Sequence, residues 1–227
     1  MTHYFSRARF ASPVTDLDLM RMVSRHGAAY RDHALVWRLF PGDGAERDFV
    51  FRRGTDQDGR DIYYVVSQRP PQSVPGLLTV QSKPYAPALE EGEMLRFELR
   101  ANPTVTRRNA DGTRGQRHDV LMNAKAKAVA QGASVQERIK EMDAAGLRWL
   151  QERAATWGVS VTEDSVLVSA YTQHTLRHRQ RNMTFSSLDY TGVAQVENPA
   201  LLTQALTQGV GHAKAFGCGL LLVRRIG

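Results

Sequence analysis

Tyr30 and His33 stand three residues apart, the spacing that makes two side chains neighbours on one face of a helix. His26 lies four residues before Tyr30 and falls on the same stripe. An imidazole takes and gives protons near neutral pH. A phenol beside it can position a substrate, stabilise developing charge or share the transfer. RNA strand cleavage asks for this chemistry: a ribose 2′-hydroxyl loses a proton and the leaving 5′-oxygen gains one. The chain holds 7 histidines, and a helical histidine is ordinarily a surface or satisfied core residue. Spacing therefore nominates the pair without assigning it a role.

A second candidate is the segment Gly209-Val-Gly-His-Ala-Lys-Ala-Phe-Gly-Cys-Gly-Leu-Leu-Leu-Val223. A dinucleotide-binding loop would follow a strand and open a helix, whereas here a helix precedes the glycines and a strand follows them. No Lys-Ser or Lys-Thr closes it as a phosphate-binding loop of the Walker type. One reading is a tight helix-to-strand turn with positive φ at glycine. The other is a cradle in which the backbone of Gly209 and Gly211, with Lys214, faces RNA phosphates.

The formal net charge is +7 and the pI about 9.8, which favours polyanionic partners. Arg96, Arg100, Arg107, Arg108, Arg114 and Arg117 fall in one short stretch, opposed only by Glu98 and Asp111. A second cluster is Arg177-His178-Arg179-Gln180-Arg181. Arginine's planar fork suits phosphate and stacks on bases. Neither cluster lies on an amphipathic basic helix, so nucleic acid is favoured over a membrane surface. Arg100, Arg107, Arg108, Arg177, Arg179 and Arg181 are the candidate RNA contacts. A 42% hydrophobic fraction supports a core without approaching a membrane span. The opening residues lack the apolar run of a secretory leader, and a cytoplasmic location is expected. Cys218 is the single cysteine, which excludes an internal disulfide and any multi-cysteine metal cage. No carboxylate set suggests a magnesium site, and neither metal nor cofactor is expected.

These residues need elements to position them. Residues 4–11 alternate as a strand, with Tyr4, Ser6, Ala8 and Phe10 on one face. Asp16 reads as a helix cap, and Leu17, Met20, Val23, Ala28, Leu35 and Leu39 recur at helical spacing to about Phe40, with Gly27 able to bend or split the helix. Strands are expected at Asp48–Arg52 and Asp61–Ser67, joined by a turn at Asp56–Gly59. The proline-rich stretch Arg69–Pro87 excludes a long helix but allows an edge strand near Leu77–Ser82. Glu93–Ala101 reads as a strand stopped by Asn102-Pro103. Ser134–Trp157 reads as a helix carrying Val135, Ile139, Met142, Leu147, Leu150 and Ala154. A β-rich stretch over 159–170 precedes a long hairpin over Thr172–Val196 with a basic tip. Asn198-Pro199 caps the last helix, and Leu220–Val223 is the final strand. Each half reads strand, helix, two strands, connector or helix, strand. This is an α+β chain of two tandem ferredoxin-like (RRM-like, βαββαβ) domains, 1–87 and 88–227.

The run Tyr30-Arg-Asp-His33-Ala-Leu-Val-Trp37-Arg-Leu39-Phe40-Pro41, followed by Arg47-Asp-Phe-Val-Phe-Arg52, resembles the CasE family, the CRISPR-associated endoribonucleases of type I-E systems. Leu95-Arg-Phe-Glu-Leu-Arg-Ala-Asn-Pro103 is similar to that family's Arg-Leu-Arg-Ala-Asn-Pro strand, and Gly209–Leu222 to its C-terminal glycine-rich loop. The matches keep their order and span nearly the whole chain. The resemblance implies two ferredoxin-like domains and binding of the stem-loop in precursor CRISPR RNA. It implies one cut at the 3′ base of the stem, with the product retained and the protein built into the Cascade surveillance complex beside its other subunits. The family's Tyr-x-x-His pair falls on Tyr30 and His33, and its RNA-gripping hairpin near Leu176–Arg181. Extra residues precede the pair, His26 among them, which makes His26 a candidate assistant; the Trp37-x-Leu39-Phe40-Pro41 anchor favours His33.

The expected reaction is in-line attack by the 2′-hydroxyl, giving a 2′,3′-cyclic phosphate (or the 3′-phosphate from it) and a 5′-hydroxyl. His33 serves as general acid or base, a role worth about 10²–10⁴-fold, while Tyr30 orients or assists. The competing reading is a non-catalytic structured-RNA-binding module. The absence of the RNP aromatic signature argues against a conventional RRM. A small-molecule-binding ferredoxin-like domain is a third reading, which accounts for neither arginine cluster.

Overall fold

The computed structural model describes residues 2–11, 28–42, 46–106, 115–178 and 181–226. The expected Asp16 cap, the first half of the first helix, Gly27 and His26 lie outside them.

The first sheet is built from β1 (His3–Phe10), β2 (Phe49–Thr55), β3 (Asp61–Ser67) and β4 (Leu78–Tyr85), in the order β2-β3-β1-β4 with every pairing antiparallel. Alternation in β1 sends Ala8 and Phe10 toward helix α1 (Ala28–Trp37) and Phe5 to the opposite face, against Tyr64 and Tyr85. β4 is an edge strand, as expected, and tolerates Pro84 because its outer side pairs with nothing. The first helix stops at Trp37, earlier than Phe40. The N–H groups of Arg38, Leu39 and Phe40 reach back three residues to Leu35, Val36 and Trp37, tightening the last turn before Pro41.

The second sheet contains β5 (Met94–Ala101), β8 (Val159–Ser160), β9 (Val166–His178), β10 (Arg181–Val196) and β11 (Leu221–Arg225). Its order is β11-β5-β10, with β8 and β9 on the far side of β10. The hairpin's first arm begins at Val166, earlier than Thr172. β10 pairs with β5 only from Leu188 onward, so among the described residues its first half, Arg181–Ser187, pairs with β9 alone. The two strands leave the sheet there as a ribbon. Asn102 fixes the departure point by donating its side-chain amide to Ser186 O at 2.7 Å, a buried bond.

Two short strands, β6 (Thr104–Thr106) and β7 (Arg117–Asp119), precede helix α2 (Val120–Ala130), capped by the Asp119 carboxylate on the Leu121 and Met122 N–H groups. Helical periodicity gave no warning of α2, because only Leu121 and Ala128 of it are buried. Helix α3 (Val135–Ala154) opens on a capping box between Ser134 and Glu137. Its buried face is Ala145, Gly146, Trp149, Leu150 and Ala154. Val135 and Ile139, which marked the helical period, are exposed at 67% and 53%. Helix α4 (Pro199–Gln208) starts as expected, with Asn198 accepting from Leu201 N–H and Pro199 in the first turn. No helix of the described residues is long and apolar enough to cross a membrane.

Each sheet has its own core. Between them lies a smaller cluster, Val50 and Val66 from the first sheet against Leu220 from the second half. Gly209 lets the two halves meet here, and Gly219 lets its own loop close. Gly209 (φ +70°) would drive a Cβ to 2.7 Å from Val50 Cγ2. Gly219 (φ +87°) would drive one into the Val210 carbonyl. The loop is closed by Val210 N–H on Gly219 O at 2.8 Å and tied to β5 by Gly219 N–H on Arg100 O at 2.7 Å. Gly219→Ala adds left-handed strain and a backbone clash, so it lowers stability by about 2 kcal/mol or more. Urea unfolding reads this directly, and an unchanged midpoint would contradict so close an approach.

Candidate functional site

Helix α1 carries Tyr30 and His33, and its pose on the sheet is set by one buried carboxylate. Asp32 accepts from the Tyr63 hydroxyl at 2.8 Å and from Arg31 Nε and NH2 at 3.0 and 2.7 Å, with Arg53 3.9 Å away. Burial and the neighbouring Asp32 charge push the Tyr63 phenol far up, so it stays a neutral donor. Leu35, Val36 and Leu39 are fully buried one turn on, each contributing about 1.5–3 kcal/mol by area. The helix is thus held by an apolar stripe and a polar anchor, and His33 emerges beside both.

His33 Nδ1 lies 2.9 Å from the carbonyl oxygen of Ala215, in the glycine-rich loop. A carbonyl oxygen only accepts, so Nδ1 carries the proton and the neutral ring presents Nε2 as an acceptor. Burial lowers the pKa of His33, the Ala215 bond opposes that, and the Arg47 guanidinium lowers it further. The net lowering favours the neutral ring, whose Nε2 lone pair can accept a proton. Tyr30 is half-buried, with its ring centroid 5.9 Å from that of His33. Trp37 meets the imidazole edge-on at 6.2 Å and Phe216 lies at 5.7 Å. Sequence spacing does bring Tyr30 and His33 together.

The glycine-rich loop departs from the cradle reading in detail. Lys214 Nζ donates to Gln208 O at 3.0 Å and Gly209 O at 2.7 Å, closing the end of α4. The N–H of Gly209 donates to Ala205 O, so it is spent within the helix end. Gly211 is exposed, with φ +66°. Arg47 acts electrostatically on both His33 and Lys214, so the field around the pair is positive.

Arg100 needs correction as an RNA contact. Its guanidinium forms a two-pronged pair with Asp189 on the adjacent strand, both bonds 2.7 Å, and is thereby committed inside the sheet. Arg107, Arg108, Arg114 and Arg179 lie outside the described residues. Arg177 and Arg181 belong to the ends of the ribbon strands, whose last register pair is His178 with Arg181. Sequence reasoning missed Asp32, Tyr63, Ala215 and Phe216. The available signal was Asp32 itself, a carboxylate between the pair's two members beside an apolar stripe. Among the described residues, no group of three or more His, Cys, Asp or Glu side chains is placed to hold a metal ion.

A family model described as "CRISPR associated protein" matches residues 4–225. The chain is 31% identical over 206 residues to the CRISPR-associated endoribonuclease Cse3 of Thermus thermophilus, covering 90% of this chain and 86% of that one. It is 29% identical over 197 residues to the CRISPR system Cascade subunit CasE of Escherichia coli, covering 85% and 89%. Among solved structures, Thermus thermophilus Cse3 bound to an RNA representing a pre-cleavage complex superposes with a TM-score of 0.68 at 22% identity, covering 99% of this chain and 100% of that one.

The anchor of α1 is open to direct test. Tyr63→Phe keeps the ring and removes the hydroxyl from a buried charged acceptor, at a cost of about 1.5–3 kcal/mol. Chemical denaturation is the measurement; a change below a few tenths would mean that Asp32 does not depend on Tyr63.

Proposed function

The chain belongs to the CRISPR-associated protein family, whose model spans residues 4–225, and from that membership we propose an endoribonuclease that cuts the repeat stem-loop of precursor CRISPR RNA. The observation that carries the proposal is the His33 imidazole, held through Nδ1 by Ala215 with Nε2 left to accept a proton. A relative 31% identical over most of both chains is named an endoribonuclease.

In this reading Nε2 of His33 removes the 2′-hydroxyl proton at the cut. The 2′-oxygen attacks phosphorus in line, and the bond to the 5′-oxygen breaks as that oxygen takes up a proton from water. The products are a 2′,3′-cyclic phosphate and a 5′-hydroxyl. Tyr30 orients the ribose or donates toward the phosphate, and the positive field of Arg47 and Lys214 suits a phosphate that gains charge. The step runs without metal, because the proton has an acceptor in the protein. His26 remains a candidate assistant.

The repeated strand orders support two tandem ferredoxin-like domains, 1–87 and 88–227. In the first half the order is β2-β3-β1-β4, with α1 between β1 and β2. In the second it is β11-β5-β10-β9, with α4 between β10 and β11. Arg177 and Arg181 of the ribbon strands, with Arg107, Arg108 and Arg179, are the proposed grip on the stem backbone, read through A-form shape. Gly211 is the proposed backbone contact of the glycine-rich loop. The cleaved RNA stays bound and the protein joins the other Cascade subunits, as the name of the Escherichia coli relative suggests. The location is cytoplasmic.

Purified protein incubated with a repeat hairpin RNA in chelator gives one site-specific cut, and His33→Ala lowers its rate by about 10²–10⁴-fold. A gel shift without cutting would favour a non-catalytic RNA-binding module, and loss of the cut in chelator would overturn the metal-free step. The pH profile tests the direction of proton transfer. A general base must be unprotonated, and burial lowers the pKa of His33. The single-turnover rate therefore rises with pH and levels off with a midpoint below the ordinary histidine value of about 6.5. A rate that falls as pH rises through that range would assign His33 the acid role.

A further inference from the structure

Four aromatic rings run in file from the ribbon to the catalytic helix. His174 of β9 stacks on Phe185 of β10 at 4.5 Å and 18°. Phe185 stacks on Phe216 of the glycine-rich loop at 5.5 Å and 28°. Phe216 meets His33 at 5.7 Å and 46°. The far end is fastened by a 2.8 Å hydrogen bond between His174 Nε2 and Ser187 Oγ. All four rings are half-buried.

The turn that carries Phe216 is pinned beyond what chain reversal requires. Ala213 sits at φ 54°, a left-handed conformation that costs a non-glycine residue of order 1 kcal/mol. Phe216 N–H donates to Ala213 O at 2.9 Å, and Lys214 ties the turn to the end of α4. The turn thereby aims two adjacent groups at one imidazole: the Ala215 carbonyl at Nδ1 and the Phe216 ring beside it. One hydrogen bond at Nδ1 leaves the imidazole free to rock about that contact and carry Nε2 with it. A ring packed alongside removes that freedom.

We propose that Phe216, backed by Phe185, is a positioning residue of the cleavage reaction, holding Nε2 of His33 in line with the 2′-hydroxyl and coupling its orientation to the β9–β10 ribbon. Phe216 touches no reacting atom; it acts through His33. Among the described residues the ribbon pairs with no other strand along Arg181–Ser187, so RNA bound to the ribbon holds Phe185 against Phe216 and steadies the imidazole in the same event. The proposal rests on His33 being the proton acceptor.

The test is Phe216→Leu, which keeps an apolar side chain and removes the flat contact. Misplacement of a proton acceptor by about 1 Å costs on the order of a hundredfold. The single-turnover rate at saturating hairpin RNA is expected to fall on the order of tenfold to a hundredfold, with RNA affinity unchanged. Phe216→Tyr restores most of the rate. In RNA-free protein, the NMR titration midpoint of His33 moves up toward its ordinary value, as water reaches the ring. Phe185→Leu gives both shifts at smaller size and keeps the test open should Phe216→Leu unfold. A wild-type rate and titration in both leucine variants overturns the proposal, as does an affinity loss that accounts for the whole rate loss. Cleavage that persists in His33→Ala overturns the catalytic reading instead, while the titration shift still reports whether the rings hold the imidazole.

Discussion

The hydrogen bond between His33 and Ala215 joins residues 182 positions apart, and most of the architecture around it serves to make that distance 2.9 Å. The imidazole belongs to a helix on the first sheet, and the carbonyl to a loop that returns to the second. Neither could reach the other if the halves packed at ordinary side-chain separation. Gly209 against Val50 leaves out the Cβ that would hold them apart, while Gly219 against the Val210 carbonyl lets the loop itself close tightly. The apolar cluster of Val50, Val66 and Leu220 then seals the contact. A structural interface and the tautomer of one histidine thus depend on the same absent Cβ atoms.

Burial works in opposite directions on the two polar anchors of α1. For Asp32, desolvation is a penalty that must be offset, and Tyr63, Arg31 and Arg53 converge to offset it. That convergence leaves the helix one rotational setting on the sheet. For His33, desolvation lowers the pKa, reinforced by Arg47, and so favours the neutral ring whose Nε2 can accept a proton. Both side chains lie on one turn, so the pose that satisfies the carboxylate is the pose that brings Nδ1 of His33 to Ala215. Arginines divide in the same way: Arg100 is consumed by Asp189 inside the sheet, while the ribbon arginines sit at the strand ends, where the register closes.

Much of the scaffold was legible in advance because its signals are local. Period-two alternation located β1, β3 and β5 to within a residue or two, and the Asn198-Pro199 start of α4 and the Ser134–Glu137 box of α3 are written in adjacent residues. Helix α2 escaped notice because a helix that buries only Leu121 and Ala128 carries no apolar stripe. Val135 and Ile139 marked the helix by their period, but period cannot tell which turns of a long helix are buried. Arg100 counted as free charge because its partner lies 89 residues away.

The sequence by itself determined the helical pairing of Tyr30 with His33, the glycine-rich return and the basic ribbon, since spacing, φ preference and charge are properties of neighbouring residues. It also carried the family pattern that membership over residues 4–225 bears out. Only the tertiary structure decided which nitrogen of His33 holds the proton, because that depends on a carbonyl brought in from the far end of the chain. It alone aligned His174, Phe185 and Phe216 with the imidazole, and it alone paired Arg100 with Asp189. Each of these is a contact between residues distant in sequence, fixed by how two sheets pack and by nothing that adjacent residues encode.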